Sequence, residues 1–268
     1  MNRIETAFQN RPIFMPYFPL GFPSLDISLD VIETLAKNGA DLIEVGLSFS
    51  DPLADGPVIQ KATQTALEQG ITIKKSLEAI RNLRSRGVTI PLVLMGYYNP
   101  MLSYGLKNFI EEAGSSGVDG FIVPDLPLEE SGAFRSAAPS DKIGRMDLPL
   151  ISMLAPTTPS ERMEMLVGSA QGFIYLVSVT GVTGARKDVP EGLGDLVSRV
   201  RQKTSLPVCV GFGIGTPQQA CAVGSLADGV IIGSACVRTI GESPYPVQAA
   251  KEFAEIYSSA LMTLKSPS

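Results

Sequence analysis

The sequence predicts a closed (β/α)8 barrel, eight parallel strands with short extra helices, and three observations carry that expectation. The 268 residues match the usual size of one such barrel, so a single catalytic domain over 1–268 is expected. Eight short, β-rich apolar runs alternate with helical patterns of one to two dozen residues, the pattern of repeated βα units. Those runs are nearly continuous in apolar character, as strands covered on both faces require.

Taken in order, the expected strands are 13–17, 41–45, 91–95, 120–123, 148–154, 172–177, 207–211 and 229–232. Between them, 28–38, 56–69 with 74–86, 106–116, 159–167, 193–203 and 217–223 read as amphipathic helices, and 246–264 closes the series. An open doubly wound sheet is the competing arrangement. Its dinucleotide-binding form loses its support at the first loop, Phe18-Pro19-Leu20-Gly21-Phe22, which has no GxGxxG.

Composition removes several function classes. The net charge is -5 and no basic run is present, which argues against nucleic-acid binding. The opening MNRIETAFQN lacks the continuous apolar stretch of a signal peptide, and no run approaches the ~18 residues of a membrane span, so a cytoplasmic protein is expected. Cys209, Cys221 and Cys236 form an odd set without CxxC spacing and read as small buried hydrophobes. The chain has no histidine at all. That removes Ser-His-Asp and Cys-His machinery and weakens any zinc site, so no metal is expected. Proton transfer falls to carboxylates, Tyr, Lys, Cys or the substrate.

In a barrel the chemistry sits at the C-terminal ends of the strands, which directs attention to three places. Glu44 lies among apolar residues near the end of the second strand, where a charge is expensive unless it is paired, solvated or used. The loop that follows contains Asp51-Pro52 and Asp55-Gly56-Pro57. Plain capping competes with chemistry at Asp55, yet a Glu on a strand and an Asp on a loop form a pair whose environments differ. Late in the chain, Thr180–Ala185, Gly211–Gly215 and Ile231–Ala235 are glycine-bearing loops after consecutive strands. Glycine admits close approach of backbone N–H groups to an anion, and barrels frequently bind phosphate after strands seven and eight. Third, Tyr17 and Tyr175 stand near strand ends, each also readable as a core or rim aromatic. Asp125, between Pro124 and Pro127, reads as loop structure or a supporting group.

The run from Asp41 to Gln60, DLIEVGLSFSDPLADGPVIQ, closely resembles the signature of tryptophan synthase α chains. Met95-Gly96-Tyr97-Tyr98-Asn99-Pro100, Val123–Glu130 and Ala155–Pro159 extend that resemblance along nearly the whole chain. The resemblance implies retro-aldol cleavage of indole-3-glycerol phosphate to indole and glyceraldehyde 3-phosphate, with Glu44 and Asp55 as the catalytic carboxylates. It implies an indole pocket of Tyr17, Ile59, Leu94, Ile122, Tyr175 and Ile231. Phosphate would be held at Gly184, Gly213, Gly233 and Ser234, with a lid over 180–190 whose Thr183 reaches toward Asp55. It implies no cofactor for this chain, and a partner: the pyridoxal-phosphate β subunit, in an α2β2 heterotetramer. Three places depart from the family pattern: the loop 18–22, Ser48 where proline is usual, and a longer segment 139–147. A stand-alone indole-releasing lyase, a phosphate-ligand sensor and another phosphate-binding barrel enzyme are the rival readings.

Overall fold

The computed structural model describes residues 2–137, 148–177, 192–211 and 213–265. The lid segment 180–190, with Thr183 and Gly184, and the segment 139–147 lie outside the described residues.

Eight parallel strands, β1 (Ile13–Pro19), β2 (Ile43–Gly46), β3 (Leu92–Met95), β4 (Gly120–Ile122), β5 (Ser152–Leu154), β6 (Ile174–Val177), β7 (Val208–Gly211) and β8 (Gly229–Ile232), form one sheet in the order β4-β3-β2-β1-β8-β7-β6-β5. The two ends of that order meet. A bridge joins Phe121 of β4 to Leu150, with Phe121 N–H donating to Pro149 C=O and Ile151 N–H to Phe121 C=O, both at 2.8 Å. The sheet is therefore a nearly closed barrel, and all eight strands fall inside the ranges expected, apart from short extensions of β1 and β2. The fifth is shorter than expected because only its C-terminal part pairs with β6.

The helices are α1 (Arg3–Ala7), α2 (Leu25–Lys37), α3 (Pro57–Glu68), α4 (Ile73–Ser85), α5 (Tyr98–Tyr104), α6 (Leu106–Ser116), α7 (Gly132–Ala137), α8 (Ser160–Gly168), α9 (Leu193–Arg201), α10 (Pro217–Gly224), α11 (Ser234–Gly241) and α12 (Pro246–Met262). Helix α2 starts three residues before the expected position because Ser24 caps it, its hydroxyl accepting from Ile27 N–H at 3.3 Å. Helices α1, α5 and α7 escape periodicity because one or two turns cannot establish a repeat. No helix among the described residues is long and apolar enough to cross a membrane.

Register decides which side chains face the barrel axis. Tyr17, Glu44, Val93 and Gly120 are partners across β1 to β4, so they share a face. The alternate set, Phe18, Val45, Leu94 and Phe121, faces the helices: Phe121 packs on Phe109 of α6 and Phe134 of α7, with ring centroids 5.4 and 5.2 Å away. The first loop is packed rather than open, its Phe22 lying 6.2 Å from the Phe18 ring and against Gly241 at the end of α11. Cys209 and Cys236 are free and buried, filling space as expected, whereas Cys221 is free and only half-buried, on α10.

At the N-terminal end of the barrel one arrangement occurs three times. Asp41, Asp119 and Asp228 each precede an even-numbered strand and each make a reciprocal pair with a residue of the neighbouring odd strand. Their carboxylates accept from the N–H groups of Phe14, Leu92 and Val208 at 2.8, 2.8 and 2.9 Å. Their own N–H groups donate to the carbonyls of the same three residues at 3.0, 2.9 and 2.8 Å. Cations complete the clamps: Lys265 on Asp41, Arg84 and Arg3 on Asp119, Arg11 and Arg201 on Asp228. Arg84 is the most enclosed of the arginines, with a side chain 13% exposed, whereas Arg11 and Arg201 are 43% and 46% exposed. Asp119→Ala is therefore expected to cost roughly 3 kcal/mol in urea unfolding, by orphaning a strand N–H and leaving an enclosed guanidinium with carbonyl partners but no carboxylate. Asp228→Ala should cost visibly less, and equal losses would contradict this ranking.

Candidate functional site

The C-terminal mouth collects most of the described residues singled out in the sequence. Glu44 projects from β2 toward the axis and is 3% exposed. Two residues on, Gly46 faces the same way, and the Tyr17 ring of β1 lies over it. A methyl group at Gly46 would stand 2.2 Å from the Tyr17 hydroxyl oxygen, so only glycine admits that ring. The same device recurs across the barrel, where Tyr175 of β6 lies over Gly211 of β7 and a methyl would stand 2.5 Å from its hydroxyl. Ile231 is the register partner of Met15 on the inner face of β8, and Ile122 closes β4 as the partner of Met95. From α3, Ile59 reaches the space beside Gly233 and Tyr17.

Leu94 is a correction. As the partner of Val45 and Phe121 it faces the helix layer, and Met95, one residue later, shares the inner face with Gly46 and Ile122. The two-residue period of a strand turns a one-residue error into the opposite face.

Asp55 sits half-buried in the turn between β2 and α3, its N–H donating to Pro52 C=O at 3.0 Å. Tyr97, at the start of α5, was not foreseen as a site residue. Its hydroxyl accepts from Ala54 N–H at 3.0 Å and hydrogen-bonds the Asp55 carboxylate, while its ring packs 5.5 Å from Phe49. In the sequence Tyr97 looks like any aromatic after a strand, and only the fold brings it to the loop of another βα unit. Asp125 has the structural part expected of it, accepting from Tyr98 N–H at the first turn of α5 at 2.9 Å. Ser48, the residue in the place of the family's proline, carries a buried hydroxyl oxygen without a hydrogen-bond partner among the described residues.

The two carboxyls differ electrostatically. Burial, and then the neighbouring Asp55 charge, lift Glu44 from an ordinary 4.5 to about 8. Burial lifts Asp55 to about 6, while its hydrogen bond from Tyr97 pulls the other way. Near neutral pH the first is protonated and the second ionised. Burial, followed by the two carboxylates, also raises Tyr17 and Tyr175 well above the usual phenol range, so both stay neutral.

Opposite lies the glycine-rich side. Gly213 has φ of 79°, a conformation that suits glycine, in the loop after β7. Gly233 precedes α11 and provides no side-chain cap, and Ser234 opens that helix, so its first-turn N–H groups are open to an anion. No group of three or more His, Cys, Asp or Glu among the described residues could hold a metal ion.

A parallel barrel with two differently tuned carboxyls at its mouth and a helix N-terminus opposite defines a (β/α)8-barrel enzyme. The family model for the tryptophan synthase alpha chain matches residues 4–264. The chain belongs to that family, and hence to tryptophan biosynthesis. It is 48% identical over 242 residues to the tryptophan synthase alpha chain of Chloroflexus aggregans, covering 88% of this chain and 89% of that one. To its counterpart in Carboxydothermus hydrogenoformans it is 47% identical, with both chains fully covered. A solved tryptophan synthase structure from Mycobacterium tuberculosis superposes with a TM-score of 0.87 at 33% identity, over 97% of this chain and 98% of that one.

The buried Glu44 has a consequence for stability. Between 4.5 and about 8 the unfolded chain has released a proton that the folded chain retains, so stability falls as pH rises through that window. Glu44→Gln, which keeps the shape without the charge, is expected to unfold at higher denaturant than wild type at pH 8. The gap should grow by up to roughly 1.4 kcal/mol per pH unit between pH 5 and about 8, and level off above it. A gap independent of pH would contradict the burial argument.

Proposed function

We propose that the chain cleaves indole-3-glycerol phosphate by a retro-aldol reaction, releasing indole and glyceraldehyde 3-phosphate. The observation that carries this reading is a buried Glu44 facing the axis and a half-buried Asp55 on the loop above it, whose different burial raises their proton affinities to different extents. Scission of the bond between indole C3 and the side chain needs a proton delivered to C3 and another removed from the adjacent hydroxyl. Glu44, neutral at the start, gives its proton to C3. As a carboxylate it then takes the hydroxyl proton while the aldehyde forms, which regenerates the acid. Asp55, ionised, accepts a hydrogen bond from indole N–H and stabilises the positive charge that develops on the ring. Tyr97 orients Asp55 by the bond to its carboxylate and the bond from Ala54 N–H.

Tyr17, Ile59, Met95, Ile122, Tyr175 and Ile231 supply the apolar walls that a flat indole ring requires. The phosphate is taken to be bound by backbone groups at Gly213, Gly233 and Ser234 and by the start of α11. A dianion held this way is compatible with a chain of net charge -5. The proposed partner is a pyridoxal-phosphate β subunit, in an α2β2 assembly, docking over the mouth. Leu53, at the tip of the β2 loop and 91% exposed, gives that face an apolar contact beside Asp55.

The test is indole release with and without a cognate β subunit. Glu44→Gln and Asp55→Asn are each expected to lower turnover by roughly 10²–10⁴-fold. A folded wild type that yields no indole under either condition would exclude the reaction, and full activity alone would exclude dependence on a partner. The pH profile of kcat/KM should be bell-shaped. It should fall below about 6 as Asp55 gains a proton, and above about 8 as Glu44 loses one. Tyr97→Phe removes a bond to ionised Asp55 and should move the acid limb upward. An unmoved limb would remove Tyr97 from this role.

A further inference from the structure

The last helix, α12, packs on α2, α10, α11 and β1, a position usually read as scaffold alone. One side chain does more. Tyr257, 4% exposed, is held between aromatic neighbours: its ring stacks on Phe14 at 5.9 Å and 10°, and lies 4.4 Å from Phe253 on its own helix. A ring so confined has little rotamer freedom, and its hydroxyl donates to the backbone carbonyl of Gly215 at 2.9 Å. Burial raises this phenol to about 12, so it remains a neutral donor across the working pH range.

Gly215 belongs to the glycine-rich loop after β7, two residues beyond Gly213. Gln219 of α10 holds the same stretch from another direction, its amide oxygen accepting from Gly215 N–H at 2.8 Å and from Thr216 N–H at 3.1 Å. The peptide unit joining Gly215 to Thr216 is thus held at both ends, its carbonyl by α12 and its N–H by α10. Gly215 has no side chain to stiffen it, so these bonds determine its orientation.

We propose that Tyr257 is a positioning residue for the phosphate end of the substrate, its hydroxyl holding the β7 loop in the shape that receives the phosphate. The inference rests on the phosphate reading of that loop given above, and it extends the site to a helix outside the mouth. It separates two parts that Tyr257 could have. A hydroxyl that merely satisfies a buried carbonyl would affect stability alone, whereas a positioning hydroxyl affects recognition of phosphate.

Tyr257→Phe removes the hydroxyl and leaves the ring to pack on Phe14 and Phe253. Cleavage of indole-3-glycerol phosphate would be followed for KM and kcat, inorganic phosphate would be titrated as a competitive inhibitor, and indole would serve as the phosphate-free control ligand. The expected result is a rise of about five- to tenfold in KM and in the phosphate inhibition constant, the scale of one neutral hydrogen bond. Turnover should stay within about twofold and indole affinity should not move. Unchanged KM and phosphate inhibition, with only a lowered melting temperature, would overturn the proposal. Equal weakening of indole and phosphate would also overturn it, as a general loosening of the barrel. Failure of the underlying reading looks different: the wild type itself would then be insensitive to inorganic phosphate, and the role of Tyr257 would fall with it.

Discussion

Strand register is the constraint on which the mouth depends. A slip of one residue between β1 and β2 would turn Glu44 and Gly46 toward the helices and present Ile43 and Val45 to the axis instead. The three aspartate clamps hold that register where each pair of strands begins. Each is a reciprocal pair of hydrogen bonds to a single residue, so a shifted strand would lose both bonds. The clamps lie at the opposite end of the barrel from Glu44, and the strands between transmit the alignment. Conditions at the base thereby decide which side chains meet at the mouth.

The two ends of the barrel treat carboxylates in opposite ways. At the base each aspartate has a cation and a backbone N–H, so its charge is compensated within the fold. At the mouth no Lys or Arg among the described residues pairs with Glu44 or Asp55, and burial raises both. The difference separates structure from chemistry. A carboxylate bound to a cation and a strand N–H serves as a structural tie, while an uncompensated buried one lowers stability and gains the ability to move a proton near neutral pH. Tyr97 moderates this at one member only. By donating to Asp55 it favours the ionised form there and leaves Glu44 to carry the proton.

Much of this was legible in the sequence because it is local. Glu44 is conspicuous as a charge within an apolar run, Asp55 lies in a turn-rich loop, and eight apolar runs alternating with helical patterns describe a barrel. What escaped depends on contacts between distant units. Tyr97 belongs to the third βα unit and acts on a loop of the second, and no spacing rule joins residues 43 apart. Leu94 was placed in the pocket through resemblance, which identifies a strand but not the parity of its residues. Val45 and Phe121 show its direction, and Met95 takes its place. The clamps were hidden too, since an aspartate before a strand looks like a turn residue until its partner strand is known.

The repeated packing of tyrosine over glycine shapes the inner face of the barrel near its mouth. Filled barrels layer branched side chains across the axis. Here β2 and β7 end in glycine where a side chain would otherwise project inward, and tyrosines from β1 and β6 lie over the vacated positions. Each ring thereby reaches across to the neighbouring strand, its hydroxyl end against the glycine, and both rings are buried there. Either glycine replaced by alanine would push its tyrosine inward, so pocket shape is set as much by the missing β-carbons at Gly46 and Gly211 as by the side chains that remain. That geometry also keeps two neutral phenols close to the carboxyl pair. The acid at Glu44 therefore sits in surroundings that are apolar or uncharged on the sides where Tyr17 and Tyr175 stand, the condition that raises its proton affinity in the first place.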